Sequence, residues 1–283
     1  MKSFRTVTAV CFQNIRKWAT NYRVWMAALI ALIFIHSFTK GIGAFCAQVG
    51  IPVSPWIYPF LYADRYMKLL FFFPLILLFC DAPFVDDNQA YVILRAKRFT
   101  WGMGQILYII LGSALYFLFL ILGTIVLHLP HMMFTPEWGK VLGTLASTNA
   151  AQFFGVTIQV DGHVINLFTP LQAMWFAFLL SWLSGIFLGL LIYVVNTISN
   201  TRVLGTLAAA SVLVFSAVVS TKPELQWVSP LSWNTIKYID VGNTTHYPTI
   251  TYILTAYAVL IALLAVCALA VNRKKAIVVL PPV

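Results

Sequence analysis

Charged residues are scarce in this chain. Only 9% of its 283 residues are Asp, Glu, Lys or Arg, whereas 61% are hydrophobic and the mean hydropathy is +0.88. A water-soluble domain cannot bury so large a share of apolar side chains, and helices satisfy their own backbone within a bilayer. The composition therefore predicts an all-α, polytopic membrane protein in which residues 1–283 form a single transmembrane domain.

Acidic residues are scarcer than basic ones, with 8 Asp and Glu against 18 Lys and Arg. A basic balance often indicates nucleic-acid binding, but in a membrane protein it reflects Lys and Arg retained on the cytoplasmic side. We therefore expect the lipid bilayer as a partner and no nucleic acid.

The residue patterns of common catalytic sites are also missing. The four cysteines lack metal-ligand spacing, no His-Glu-x-x-His pattern occurs, and no Gly-rich phosphate loop occurs. We expect no structural disulfide, no metal, no cofactor in this chain and no catalytic residues, so the chain is not predicted to be an enzyme. The cysteines are Cys11, Cys46, Cys80 and Cys267.

Apolar stretches predict six membrane spans. The first is short for a bilayer core, so either Lys40 extends its amino group to water or the helix continues through Gly41 to Val49. The second contains Pro74 and ends near Asp81. The predicted spans are residues 24–40, 67–85, 101–130, 171–196, 203–220 and 249–271.

Basic residues set the predicted orientation. Most of them precede the first span, lie between spans two and three, or follow span six. Both termini are therefore predicted to be cytoplasmic in a multi-pass protein of the cell membrane. Residues 1–22 add an amphipathic, acid-free helix, predicted to lie in the interface with its apolar face in lipid. Alternatively, this segment is a basic flank that only fixes topology.

The segment between spans two and three carries a helix of its own, predicted over residues 86–98. Asp86 and Gln89 form a capping-box pattern at its start, and basic residues stand at its end. It is a candidate surface on which a soluble partner acts, or an ordinary loop whose basic residues fix topology. The candidate residues are Asp86, Asp87, Gln89, Tyr91, Leu94, Arg95, Lys97 and Arg98.

Asp81 is a possible intramembrane acid, because an ionisable side chain in a span is costly and is often functional. Alternatively, it caps the next turn. Small residues at Ser181, Gly185 and Gly189 recur every fourth position, with Gly205 in the next span, and predict close helix packing. The alternative is incidental glycine in apolar helices.

The outer segment 131–169 carries a hairpin signal. Residues 156–167 alternate between apolar and polar and centre on Asp161-Gly162. That dipeptide between alternating β-formers predicts a small extracytoplasmic β-hairpin with positive φ at both turn residues.

This layout, with Val228-Ser-Pro-Leu-Ser-Trp233 before the last span, resembles the membrane subunit of a type-2 ABC exporter. The resemblance implies an N-terminal interfacial helix, six spans, and a coupling helix between spans two and three. It also implies a homodimer or heterodimer of permease subunits and a separate ABC ATP-binding subunit that holds ATP and Mg. The implied cargo is amphipathic: a peptide, a drug or a lipid-like molecule. The long outer loop departs from the family pattern.

Two other functions fit the same sequence. One is a non-transporting membrane anchor or sensor that uses the outer segment to bind a partner. The other is an ion-coupled transporter in which Asp81 carries the proton.

The predicted topology can be tested by labelling single cysteines in a cysteine-free background. A membrane-impermeant thiol reagent added to intact cells should modify Gly162→Cys and not Lys274→Cys, since only the first is predicted to lie outside. Permeabilised cells provide the control, because both sites should then react. Labelling of Lys274→Cys in intact cells would contradict the cytoplasmic C-terminus.

Overall fold

The computed structural model describes residues 2–84, 89–219, 222–241 and 245–274. This part of the chain is mostly helical and contains no β-strand, only isolated bridges between Val53 and Met132 and between Asp240 and Thr249. The helices are α1 (Lys2–Arg16), α2 (Tyr22–Val49), α3 (Arg65–Phe79), α4 (Gln89–Ala96), α5 (Arg98–His128), α6 (Gly139–Ser147), α7 (Ala150–Phe153), α8 (Gly162–Leu167), α9 (Pro170–Ser199), α10 (Arg202–Val219) and α11 (Ile250–Lys274).

Five helices of the described chain, α2, α5, α9, α10 and α11, are long and apolar enough to cross a membrane. The prediction of a helical membrane protein is thereby confirmed. Local signals define the helix ends: the Asn21 side chain accepts from the Arg23 N–H at α2, and Gly50, with φ 68°, ends that helix. The second alternative for the first span is therefore correct, since α2 passes Lys40 and continues to Val49.

Helix α3 covers most of the predicted second span but ends early. The Asp64 carboxylate caps its start by accepting from the Tyr66 and Met67 N–H groups, and the helix stops at Phe79 rather than near residue 85. Its 15 residues extend about 22 Å, against about 30 Å for a bilayer core. Residues 80–84 form a turn, because Pro83 has no N–H and disfavours helix in the residue before it.

The predicted β-hairpin at residues 156–167 is wrong. The Asp161 carboxylate accepts from the His163 N–H at 2.9 Å and caps α8, with φ of −92° at Asp161 rather than the positive value a type I′ turn needs. Asp is as suitable at a helix N-cap as in a turn. Burial then decides between the two structures: Val164 of α8 is buried, and α8 packs against α6.

Helix α1 confirms the predicted N-terminal helix, but its apolar face is divided. Phe4 and Phe12 are exposed, whereas Val10 and Cys11 are buried against α5. The close approach depends on Gly104, where an added Cβ would lie 2.7 Å from Val10 Cβ. The expectation that the whole apolar face lies in lipid is therefore wrong for Val10 and Cys11.

Helix α9 runs through the middle of the bundle and contacts α3, α5, α10 and α11. Ser181, Gly185 and Gly189 are buried on it. At Gly189, a Cβ would lie 2.5 Å from Ile109 Cγ2 and 3.1 Å from the Phe79 ring. The Ile109 methyl branches from Cβ and is stiff in a helix, so the glycine sets how closely α9 approaches α5.

Replacement of Gly189 by Ala should destabilise the protein. Overpacking of a tight contact costs about 1–3 kcal/mol, and Ile109 cannot rotate away cheaply. The matched control is Gly143→Ala in α6, where an added Cβ meets nothing within 4 Å. In thermal unfolding of the detergent-purified chain, Gly189→Ala should lower the Tm and Gly143→Ala should leave it equal or raise it. Equal Tm values for wild type and Gly189→Ala would contradict the close packing.

Candidate functional site

Helices α2 and α10 begin, and α3 and α9 end, at the same end of the bundle, which we call the basic end. The candidate site, which we call the polar junction, lies there. Asp81, in the turn after α3, forms ion pairs with Arg23 of α2 and with Arg202 of α10, the latter at 3.5 Å between Arg202 Nη1 and Asp81 Oδ1. The three side chains are 29%, 17% and 19% exposed, respectively. One carboxylate thus joins three elements by charge.

Asn196 of α9 adds a fourth element to the polar junction. Its Nδ2 donates to the carbonyl oxygens of Cys80 at 3.1 Å and Ala82 at 2.8 Å, and its Oδ1 accepts from the Gly205 N–H at 2.9 Å. The Gly205 amide lies in the first turn of α10, where backbone N–H groups lack partners within the helix. The buried Asn196 amide therefore supplies hydrogen-bond partners to backbone groups at the end of α3 and at the start of α10.

Gly205 is required at this point for steric reasons. A Cβ there would overlap the Asn196 amide and would lie 2.6 Å from the Ile192 carbonyl oxygen. Gly205 was predicted as a packing residue, and the contact it permits is a hydrogen bond rather than apolar packing alone.

More hydrogen bonds between helices lie near the basic end. Asn14 of α1 donates to Gln105 at 2.7 Å, and Trp18, in the 3-10 helix Lys17–Ala19 after α1, donates to Tyr108 at 2.7 Å, which links both segments to α5. Asn272 donates to Tyr193 at 2.5 Å, which links α11 to α9. Polar bonds between helices stabilise association where lipid offers no hydrophobic drive. These hydrogen bonds link helices at the basic end, where the ion pairs of the polar junction also lie.

Helix α4 follows the polar junction and presents two faces. Val92, Ile93 and Ala96 pack toward Val10 of α1 and Trp101 of α5. On the other face, Tyr91 is 72% and Leu94 81% exposed. The structure therefore places Ile93 and Leu94 on different faces of α4.

The other candidate residues of this segment lie around α4. Gln89 begins the helix, Arg95 is exposed in its last turn, and Lys97, also exposed and with φ 65°, separates it from α5. Arg98 is the first residue of α5. Asp86 and Asp87, and with them the start of the predicted helix 86–98, lie outside the described residues.

The contacts of the polar junction join helices to one another. Within the described ranges, no three His, Cys, Asp or Glu side chains come together as a metal site would require. Asp81 faces two guanidinium groups. The polar junction connects the turn after α3 to α2, α9 and α10.

Three residues of the polar junction were not predicted as site residues. Arg23 and Arg202 were counted only as basic flanks of spans, and Asn196 only as the end of a span. The signal that was available is the amide of Asn196 at the end of an otherwise apolar stretch, since such a side chain needs partners within the bundle.

No protein-family model, no curated protein and no solved structure matches this chain.

The ion pair between Arg23 and Asp81 can be measured with a double-mutant cycle. Arg23→Gln, Asp81→Asn and the double variant should give an interaction free energy of about 0.5–3 kcal/mol, typical of residues in direct contact. The measurement is the free energy of unfolding in mixed detergent and denaturant. Arg23→Gln with Asp64→Asn, at the opposite end of α3, is the control and should be additive. Additivity of Arg23→Gln with Asp81→Asn would contradict a direct pair.

Proposed function

We propose that this chain is the membrane-spanning permease subunit of an ATP-driven ABC exporter that moves an amphipathic substrate across the cell membrane. The observation that carries the proposal is α4: a short helix, tethered to membrane helices on both sides, with Tyr91 and Leu94 exposed on its outer face. Exposed aromatic and apolar side chains on a rigid element are typical anchors of a protein interface.

Mechanical reasoning selects α4 among the segments at the basic end. The connection between α9 and α10 is too short for a docking helix, whereas α4 lies between α3 and α5. Helix α4 follows closely after Asp81, so a displacement of α4 would act on α2, α9 and α10 through the polar junction. Closure of a partner on ATP would in this way rock several membrane helices together.

The proposal includes six spans, with α3 as the short one. A 3-10 helix of buried residues, Tyr58–Tyr62, precedes α3, and the turn at residues 80–84 follows it. Together with α3, these two flanking segments make the second span longer than α3 alone. Six spans give cytoplasmic termini on the side where basic residues concentrate.

The segment before α11 further supports the proposal. Three 3-10 helices, Pro223–Trp227, Pro230–Asn234 and Ile236–Tyr238, lie against the bundle, with Trp233 and Asn234 buried. Tyr257 of α11 donates to the Pro230 carbonyl at 2.5 Å, and Lys68 of α3 donates to the Leu231 carbonyl at 3.2 Å. Short helices folded back beside the last span are a feature of the exporter subunits that the sequence resembles.

The partners follow from the proposal. A second permease subunit, identical or different, would complete the transport path, and a separate ABC subunit would bind ATP and Mg. The few charges in the long helices favour an amphipathic cargo over a strongly ionic one.

The alternative functions receive unequal support. The ion pairs of Asp81 with Arg23 and Arg202 give this carboxylate a structural role, which counts against the ion-coupled transporter. A membrane anchor or sensor is favoured by Phe134 and Phe153, which are 68% and 86% exposed outside the long helices. Such side chains suit a partner on the side opposite α4.

Substitution of Tyr91 and Leu94 by Ala together should abolish association with the ATP-binding subunit, because the apolar anchors of an interface carry most of its binding energy. The measurement is co-purification of the ATPase subunit from cells in mild detergent. Arg95→Glu should weaken association less, since charges at an interface rim mainly tune the association rate.

Phe153→Ala is the matched control, because it removes an exposed aromatic side chain from α7, away from α4. It should leave both expression and co-purification unchanged. If the Tyr91 and Leu94 double variant retains its ATPase at the wild-type level, α4 is not the docking element and the anchor or sensor function gains support.

A further inference from the structure

Two adjoining cavities lie where α1 turns into α2. The larger is a groove of about 410 Å³, within the range of about 300–1,000 Å³ common for small-molecule sites. Its walls come from the 3-10 helix after α1 and from α2, α3 and α5, and nearly all of its surface is apolar. It is lined by Trp18, Ala19, Val24, Trp25, Ala28 and Leu115, among others.

The smaller cavity is partly polar and adjoins the groove. It measures about 50 Å³, shares Trp18 and Leu78 with the groove, and is otherwise lined by Lys17, Asn21, Arg23 and Asp81, among others. A third hollow, beside α1, is lined by Arg16 and Lys17 together with Thr20. An apolar groove therefore meets a cluster of cationic side chains at Lys17 and Trp18.

We propose that these cavities form a binding site for one anionic glycerophospholipid. An acyl chain occupies the groove, and the phosphate and anionic headgroup lie at Arg16 and Lys17. This site is independent of ATP-driven transport.

Charge complementarity selects the headgroup. Residues 2–22 contain basic side chains and no acid, so nothing on α1 opposes an anion. Asp81, which lines the smaller cavity, is paired with Arg23 and Arg202. A basic cluster beside a bilayer surface attracts anionic lipids, with a gain of about five-fold in affinity per Lys or Arg.

The indoles at the groove are held in place by their own hydrogen bonds. Trp18 Nε1 donates to the Tyr108 hydroxyl at 2.7 Å, and Trp25 Nε1 donates to the Ala19 carbonyl at 3.1 Å. Their polar atoms are thereby satisfied, and the ring surfaces remain for apolar contact. Trp25 and Leu115 are 64% and 41% exposed, so the groove is open toward the side that faces lipid in a membrane.

Native mass spectrometry of the full-length chain, titrated with phosphatidylglycerol and phosphatidylcholine of identical acyl chains, tests the site. Wild type should bind one phosphatidylglycerol with preference over phosphatidylcholine. Arg16→Gln with Lys17→Gln should lower the affinity for phosphatidylglycerol about twenty-five-fold, the product of two basic contributions, and leave the affinity for phosphatidylcholine unchanged. Lys140→Gln, in the outer helix α6, is the charge-matched control and should have no effect.

A second variant tests the groove. Ala28→Phe fills it and should abolish retention of both lipids, whereas Leu29→Phe, on an exposed neighbouring residue, should not. The charge variants lie at the surface and keep the test valid if Ala28→Phe fails to fold. Equal affinity of wild type for the two lipids, or lipid retention unchanged in folded Ala28→Phe, would overturn the proposal. Loss of a dimer rather than of lipid in Ala28→Phe would also overturn it, by assigning the groove to a second copy.

Discussion

A carboxylate beside a membrane-spanning bundle needs compensating charge, and at Asp81 the compensation comes from two different helices. Each guanidinium offsets part of the cost of removing the carboxylate from water. Arg23 lies at the start of α2 and Arg202 at the start of α10. Pairing of Asp81 therefore constrains where α2 and α10 begin relative to the end of α3, and the rest of the basic end follows from that constraint.

The bundle is held by different means along its length. At the basic end, charges and amide hydrogen bonds from Asn14, Asn196 and Asn272 join α1, α9, α10 and α11 to their neighbours. In the middle, small residues such as Gly189 bring apolar helices into close contact. The 3-10 segment between α10 and α11 fills the opposite end. Hydrogen bonds also hold this second end, where Lys68 and Tyr257 donate to backbone carbonyls of the 3-10 segment.

The predictable features were those that depend on local sequence. Long apolar stretches gave the helices their approximate positions, and Thr169 with Gln172 begins α9 by a local capping box. The β-hairpin prediction failed because Asp161-Gly162 suits both a turn and a helix cap. Burial of Val164 favours the helix. The contacts of Asn196 with Cys80 and Ala82 join residues far apart in the chain, so no local pattern could predict them.

ATP hydrolysis tests the central claim most directly. The tagged, full-length chain is purified in mild detergent from cells that naturally make it, and the eluate is assayed for ATP hydrolysis and for its polypeptide composition. The proposed function predicts a second, ATP-hydrolysing polypeptide in stoichiometric amount, with activity that elutes together with the chain. A folded chain that elutes without any ATP-hydrolysing subunit and shows no activity would contradict an exporter and favour a membrane anchor or sensor.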